Sequence, residues 1–457
     1  MKGFFYQHPV APMSLPTLFL SSGAHELEAA QTLIQAGQFV VILLIARALA
    51  ELMVRLRLPA ILGELVAGVL IGISGLHLIQ PPELGGELNS LAQGSIATLA
   101  HVSSEQVRQI YANTFPILQG VAKIGLLSLL FLTGLESELD ELMAVGGQAI
   151  SVALTGVILP FVMGAFGLHI FFTVPMLPAI FAGAAMTATS IGITASVLGE
   201  LKVLRTREGQ MVIGAAVLDD ILGIVILAVV VALAAGEGFT AGPVVKLVGA
   251  ASVFVAVALA LSRTAAPAFD ALLDRLRAPG EVAVAAFLVL SLACFAAQAF
   301  GLEAALGAFA GGLILSSSKR REAIEKAIQP LVALFATVFF VLIGSSLNLA
   351  VLNPFNPANH AGLLMAGFLL AAALLSKLAA GWSYLSKEPT NRLAVGLAMI
   401  PRGEVGLIFL GLGSQSGVLG PSLEAAILLM VIGTTFLAPV LLRLVLKDPV
   451  EAVELVP

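Results

Sequence analysis

Asp219 and Asp220 stand side by side in a run of 28 residues, Gly209 to Gly236, that carries no other charge. An aspartate at the centre of a membrane helix costs roughly 2.5–3.5 kcal/mol on insertion scales, so two in succession point to function rather than to folding. A carboxylate in such a place can hold a proton or a hard cation, but not both at once. Other ionisable residues reach the same level. Asp219 and Asp220 follow Arg207 by twelve and thirteen residues, Lys377 precedes Lys387 by ten and Arg402 follows Arg392 by ten. At about 1.5 Å per residue these offsets are about 15–20 Å, near the middle of a hydrocarbon core about 30 Å thick. Hydroxyls gather there too: "MTATSIGITAS" (186–196) holds Thr187, Thr189, Ser190 and Thr194, dense enough to compete with helical backbone bonding. In "MIPRGEVGLIF" (399–409), Pro401 removes a helical hydrogen bond and Gly403 tolerates unusual torsions in mid-span. Each segment reads as an interrupted helix, whose freed carbonyls suit a cation and whose half-helix ends suit charges.

The elements that must position these groups follow from composition. Of 457 residues 59% are hydrophobic and 11% charged, and the mean hydropathy is +1.03, values of an all-α polytopic membrane protein. Apolar windows of about twenty residues predict thirteen spans: roughly 32–53, 59–76, 115–135, 147–171, 176–199, 209–235, 243–262, 282–300, 302–318, 330–350, 361–384, 393–413 and 422–442. Residues 1–31 read as an extracytoplasmic tail or a signal-like segment, and 447–457 as a short cytoplasmic tail, around a transmembrane domain over 32–446. The one cysteine, Cys294, lies in an apolar run, so neither disulfides nor redox chemistry is expected. A net charge of −5 spread among loops argues against nucleic acid as a partner.

Sixteen of the 23 lysines and arginines fall in loops on one face of this arrangement, and only Lys2, Arg108 and Lys246 on the other. Positive residues favour the cytoplasm, so the N-terminus is expected outside and the C-terminus inside, in a cell inner membrane. The acidic "ESELDE" after the third span dissents, although acids weigh little in this rule. The remaining four, Arg47, Lys123, Lys377 and Arg402, lie within spans.

The chain also repeats itself. "ILGELVAGVLIG" (61–72) is similar to "ALGAFAGGLILS" (305–316), and "LLFLTGLESEL" (129–139) to "VFFVLIGSSLNL" (338–349). The copies begin seven spans apart, an odd number, so the second is inverted relative to the first, as in secondary transporters. The two interrupted spans, fifth and twelfth, are also seven apart.

Together "LPAILGELVAGVLIG", "LLFLTGLESEL", "TATSIGITASVL", "VLDDILGIV", "LLSKLAAG" and "PRGEVGLIF" resemble the successive signatures of the cation:proton antiporter-2 family, over residues 32 to 445. The paired aspartates resemble its electrogenic sodium/proton branch. The resemblance implies thirteen spans with two crossed broken helices, a homodimer, a dimer domain (about 32–135 and 243–350) and a mobile ion-carrying core (about 147–199, 209–235 and 361–442). It implies that Asp219 pairs with Lys377 and that Asp220 binds the ion, with Thr187, Thr189 and Ser190 near the site and Thr189 and Ser190 joining Asp220 around Na⁺. Two departures weaken any likeness to the glutathione-gated potassium members: Asp219 stands where those have Gln, and no nucleotide-binding domain follows the last span.

Neighbouring helix positions diverge by about 100°, so one aspartate can pair while the other stays available. If Lys377 also releases a proton as the cation enters, two protons move per Na⁺ and the cycle is electrogenic. Arg402 is expected to be a structural charge, balanced by Glu404 or by Glu64. No cofactor is expected, and Na⁺ and H⁺ are cargo. The protein is not expected to be an enzyme: an intramembrane aspartyl protease needs its aspartates on different helices. A channel needs a continuous polar pore, whereas the polar residues here share one depth. Potassium/proton exchange remains an alternative, and a sodium-coupled organic-solute symporter a more distant one.

Overall fold

The computed structural model describes residues 15–56, 58–82, 88–137, 144–234, 241–276, 278–347, 349, 353, 355–385, 389–402 and 404–446. Among them there is no strand. The first helices are α1 (Leu15–Arg55), α2 (Ala60–Ile71), α3 (Ser90–Ala100), α4 (Ser104–Glu136), α5 (Gly146–Phe172), α6 (Met176–Ala185), α7 (Ile191–Glu200), α8 (Arg207–Ala234) and α9 (Ala241–Leu273). They are followed by α10 (Glu281–Ala299), α11 (Ala304–Leu315), α12 (Arg321–Leu331), α13 (Thr337–Ser345), α14 (His360–Ala380), α15 (Arg392–Ala398), α16 (Glu404–Gln415) and α17 (Pro421–Val445).

Each of the thirteen predicted windows is occupied by helix, yet the windows are not all crossings of equal length. Among the described residues eight helices are long and apolar enough to cross a bilayer, or nine when the bent pair 248–262 and 264–273 is taken as one. The other windows hold shorter apolar helices, α2, α6, α7 and α11, or the interrupted segment of α15 and α16. Two features depart from the expected loops. Helix α1 already begins at Leu15, inside the predicted tail, and α3 occupies the second connection. Local signals explain several ends. Ser103 Oγ accepts from the Gln106 N–H and the Gln106 side chain accepts from the Ser103 N–H, a capping box that starts α4. Asn391 Oδ1 accepts from the Ala394 N–H at 3.0 Å and starts α15.

The repeat is visible in the packing. α2 lies against α13, and α11 lies against α4, so each copy's opening helix meets the other copy's closing helix. Glycines allow both approaches. A Cβ on Gly68 would strike the Val341 carbonyl and come within 2.7 Å of the Gly344 Cα. A Cβ on Gly312 would strike the Phe131 carbonyl, and one on Gly134 the Phe309 carbonyl. Gly68 and Gly312 are equivalent in the aligned repeats, as are Gly344 and Gly134, so one close crossing occurs twice.

Contacts divide the helices into two sets. α1, α2, α4, α9, α10, α11 and α13 pack chiefly on one another, and so do α5, α6, α8, α14, α15, α16 and α17. At the end where the basic loops gather, polar bonds tie α7 and α12, which stand outside both sets, to α2, to α4 and to the connection after α7. Glu200, the last residue of α7, accepts from the N–H groups of Ala60 at 2.8 Å and Ile61 at 3.2 Å, and so serves the first turn of α2. Arg205 lies 3.8 Å from Glu325 of α12, and Arg321 donates to the Glu136 carbonyl at 2.9 Å. The first residue of the dissenting acidic loop is therefore surrounded by arginines; residues 138–143 lie outside the described set.

Candidate functional site

Two chain breaks meet in the second set. α6 ends at Ala185 and α7 begins at Ile191; α15 ends at Ala398 and α16 begins at Glu404. Toward the middle of each break the backbone has lost its helical partners, and a buried backbone group must find another. The two breaks find each other. The Ser190 N–H donates to the Pro401 carbonyl at 2.8 Å, the Thr194 hydroxyl to the Ala398 carbonyl at 2.8 Å and the Thr189 hydroxyl to the Met399 carbonyl at 3.1 Å. Thr187 turns back on its own helix, donating to the Ala184 carbonyl at 2.7 Å. Pro401 cannot donate at all, so its placement in a break leaves no orphan N–H.

Beside these breaks, Lys377 Nζ donates to Asp219 Oδ2 at 3.1 Å and to Thr189 Oγ1 at 3.0 Å. Both members of the ion pair are fully buried. Gly156 of α5 leaves room for the lysine, since a Cβ there would lie 3.1 Å from Nζ. A buried pair must be hydrogen-bonded to offset desolvation, and the Thr189 hydroxyl contributes the second bond. Asp219 Oδ1 has no hydrogen-bond partner among the described residues.

Asp220 faces elsewhere, as the 100° step along a helix requires. It lines a cleft of about 280 Å³, counting its open mouth, with Ala188, Thr189, Ser190, Ile191, Val405, Glu303 and Ala305. Ser190 Oγ, buried in the wall, has no partner among the described residues, whereas the Thr189 hydroxyl is engaged on both sides. A cation beside Asp220 would find one carboxylate and one uncommitted hydroxyl from this wall. That set of hard oxygens suits an alkali ion. The described residues contain no cluster of three or more His, Cys, Asp or Glu that could hold a resident metal.

Arg402 is fully buried, and its Nη1 donates to the Met399 and Ile400 carbonyls, each at 3.1 Å. The guanidinium therefore closes the carboxyl end of α15, where the helix dipole favours a positive charge. Thr435 of α17 donates to the Arg402 carbonyl. Nε and Nη2 have no partner among the described residues. Glu64, expected as one counter-charge, is instead held by Thr337, whose hydroxyl donates to Glu64 Oε1 at 2.7 Å. It belongs to the α2 and α13 contact, in the other set of helices. Glu404 begins α16, but its side chain, like Gly403, lies outside what is described.

Sequence reasoning passed over Glu303 and Gly156. Glu303 is a solitary acid at the head of an apolar helix, and position alone does not tell it from an interfacial residue. Gly156 is one of 45 glycines, and only a neighbouring lysine gives it meaning.

Comparison with known proteins adds four findings. The family model described as sodium/hydrogen exchanger, transmembrane, matches residues 40–448. The high-affinity Na⁺/H⁺ antiporter NhaS3 of Synechocystis is 44% identical over 87% of this chain and 86% of its own. The Na⁺/H⁺-K⁺ antiporter GerN of Bacillus cereus is 30% identical over 89% of this chain and 95% of its own. In structure, the sodium proton antiporter MjNhaP1 of Methanocaldococcus jannaschii aligns with a TM-score of 0.60 at 17% identity, covering 92% of this chain and 99% of that one. At that identity the likeness speaks for the fold.

Proposed function

The chain belongs to the sodium/hydrogen exchanger family, and from that premise we infer that the cleft at Asp220 is where a sodium ion and a proton compete for one carboxylate. The protein is a multi-pass membrane transporter that exchanges Na⁺ for protons. The observation that carries the site reading is the unequal standing of two adjacent aspartates. Asp219 is committed to Lys377 in a closed pair, while Asp220 lines an open cleft. When the cation enters, Asp220 gives up its proton; when a proton returns, the cation leaves. Ser190 supports this as a second oxygen on the cation, and Thr189 as the hydroxyl that holds the lysine.

Lys377 is the second proton carrier in this reading. If its Nζ releases a proton as Na⁺ arrives, two protons move against one sodium ion and the exchange carries net charge. The two sets of helices support a division into a dimer-forming unit and an ion-carrying core, which rocks to expose the cleft to either face in turn. The basic loops support an inner-membrane orientation with the N-terminus outside. No cofactor enters the scheme.

The test is a pH-sensitive dye in proteoliposomes of the whole chain, loaded acidic and challenged with Na⁺, Li⁺ and K⁺ in turn. Na⁺ and Li⁺ are expected to relieve quenching and K⁺ to do so weakly. A response to K⁺ alone would move the protein to potassium/proton exchange, and sodium movement without protons would sink the antiport reading.

A further inference from the structure

The cleft at Asp220 has two walls from different parts of the fold. One is made by Ala188 to Ile191, Asp220 and Val405, all of the set that carries the chain breaks. The other is made by Glu303 and Ala305, at the start of α11, which packs on α4, α9 and α10 of the opposite set. Asp220 follows Arg207 by thirteen residues, and Glu303 lies sixteen before Lys319 at the head of a twelve-residue helix. A second acid thus stands across the cleft from the aspartate that exchanges the ion.

Helix capping does not account for Glu303. It occupies the N-cap position with extended backbone (φ −70°, ψ 145°), yet its side chain makes no cap hydrogen bond. Nor does an ion pair, since no salt bridge joins it to a described residue. Lys123 of α4 is the basic residue whose field reaches it. The side chain is half-buried, in a wall otherwise made of small apolar residues.

We propose that Glu303 is the cation-attracting residue of the static wall: it draws the monovalent cation into the cleft and sets the apparent affinity for it, while Asp220, not Glu303, trades its proton for the cation. The proposal rests on the reading of this cleft as the transport site. A carboxylate inside a cleft with low-dielectric walls raises the local concentration of a positive ion without having to touch it. Because the attraction acts through space, it weakens as other ions screen it.

The test uses the full chain in proteoliposomes. Glu303→Gln is expected to raise the Na⁺ concentration for half-maximal proton movement about three- to tenfold, the size of one charge acting across a partly wetted gap. The maximal rate falls much less, and Glu303→Asp stays within about twofold of wild type on the same reasoning. Adding an impermeant bulky cation raises the half-saturating Na⁺ of the wild type and leaves that of Glu303→Gln nearly flat. A merely structural glutamate would not produce that salt dependence.

A second route does not depend on the folding of Glu303→Gln. In a Cys294→Ser background, Ala305→Cys is modified with a positively or a negatively charged thiol reagent. The positive adduct should weaken Na⁺ dependence and the negative one strengthen it. A folded Glu303→Gln with wild-type half-saturation and salt dependence, or equal effects of the two adducts, overturns the proposal. A wild type that moves no protons in response to any cation overturns the transport reading beneath it.

Discussion

The backbone N–H of Ser190 donates to the carbonyl of Pro401 across 2.8 Å, tying one chain break to the other at the level of the ion pair. Neither break is fully satisfied within its own half-helices. Each supplies the partner that the other lacks, so the two must form together, and the charged residues beside them inherit fixed positions.

Asp220→Asn should abolish cation-dependent proton movement while the folded transporter survives, because it removes the exchanging carboxylate at almost constant volume. Dye dequenching measures the first, and size-exclusion elution in detergent the second. Retained exchange in the variant would refute the assignment.

Asp219→Asn should act on stability first. It leaves Lys377 charged in a fully buried place with neutral oxygens and no paired carboxylate, a loss of roughly 3–5 kcal/mol for a broken buried pair. Replacing both partners, in Asp219→Asn with Lys377→Met, should recover most of that loss. Thermal unfolding of the four proteins in one detergent gives the cycle.

Lys377→Arg separates a proton carrier from a strut. Arginine does not readily deprotonate, so if the lysine moves a proton, the transient current evoked by a Na⁺ jump on a solid-supported membrane should vanish or nearly so. An undiminished current means that the lysine only balances Asp219.

Gly68→Ala should be far more damaging than Gly120→Ala. At Gly68 the new methyl meets the backbone of α13, whereas at Gly120 nothing lies within 4 Å. The first should cost about 3 kcal/mol, the upper part of the overpacking range, and the second should gain about 0.5–1 kcal/mol of helix stability. Melting temperatures that fall equally would contradict the close crossing.

Glu136 gives a pH prediction. Burial holds its carboxyl above the ordinary value of 4.5, Glu325 pushes it further, and Arg205 and Arg321 oppose both. A carboxylate raised on folding adds stability in full below its unfolded pKa and loses it as pH climbs through the raised value. Glu136→Gln should therefore gain on wild type as pH rises from about 4.5 through the raised value, by less than about 1 kcal/mol because solvent screens a partly exposed group. Melting curves against pH check the sign.

Charges in apolar runs were legible from sequence because each is expensive there: Asp219, Asp220 and Lys377 were named from depth alone, and the breaks at Ser190 and Pro401 from hydroxyl density and proline. The repeats announced the α2 and α11 correspondence. What remained hidden depends on distant chain. Thr337 lies 273 residues from Glu64 and takes the carboxylate that sequence offered to Arg402. Glu303 becomes interesting only when α11 brings it opposite Asp220, and the two uses of the Thr189 hydroxyl need coordinates from three helices. Window hydropathy likewise counts apolar stretches, not the shortness of α2, α6, α7 and α11.

Glu200, the last residue of α7, holds the first N–H groups of α2, and α2 has no side-chain cap of its own. Any shift of α7 away from α2 must strip that cap, at about 1 kcal/mol for a helix end returned to water. Such a contact is too weak to lock the protein and strong enough to act as a detent, favouring one resting posture by about fivefold and releasing it under ordinary thermal agitation.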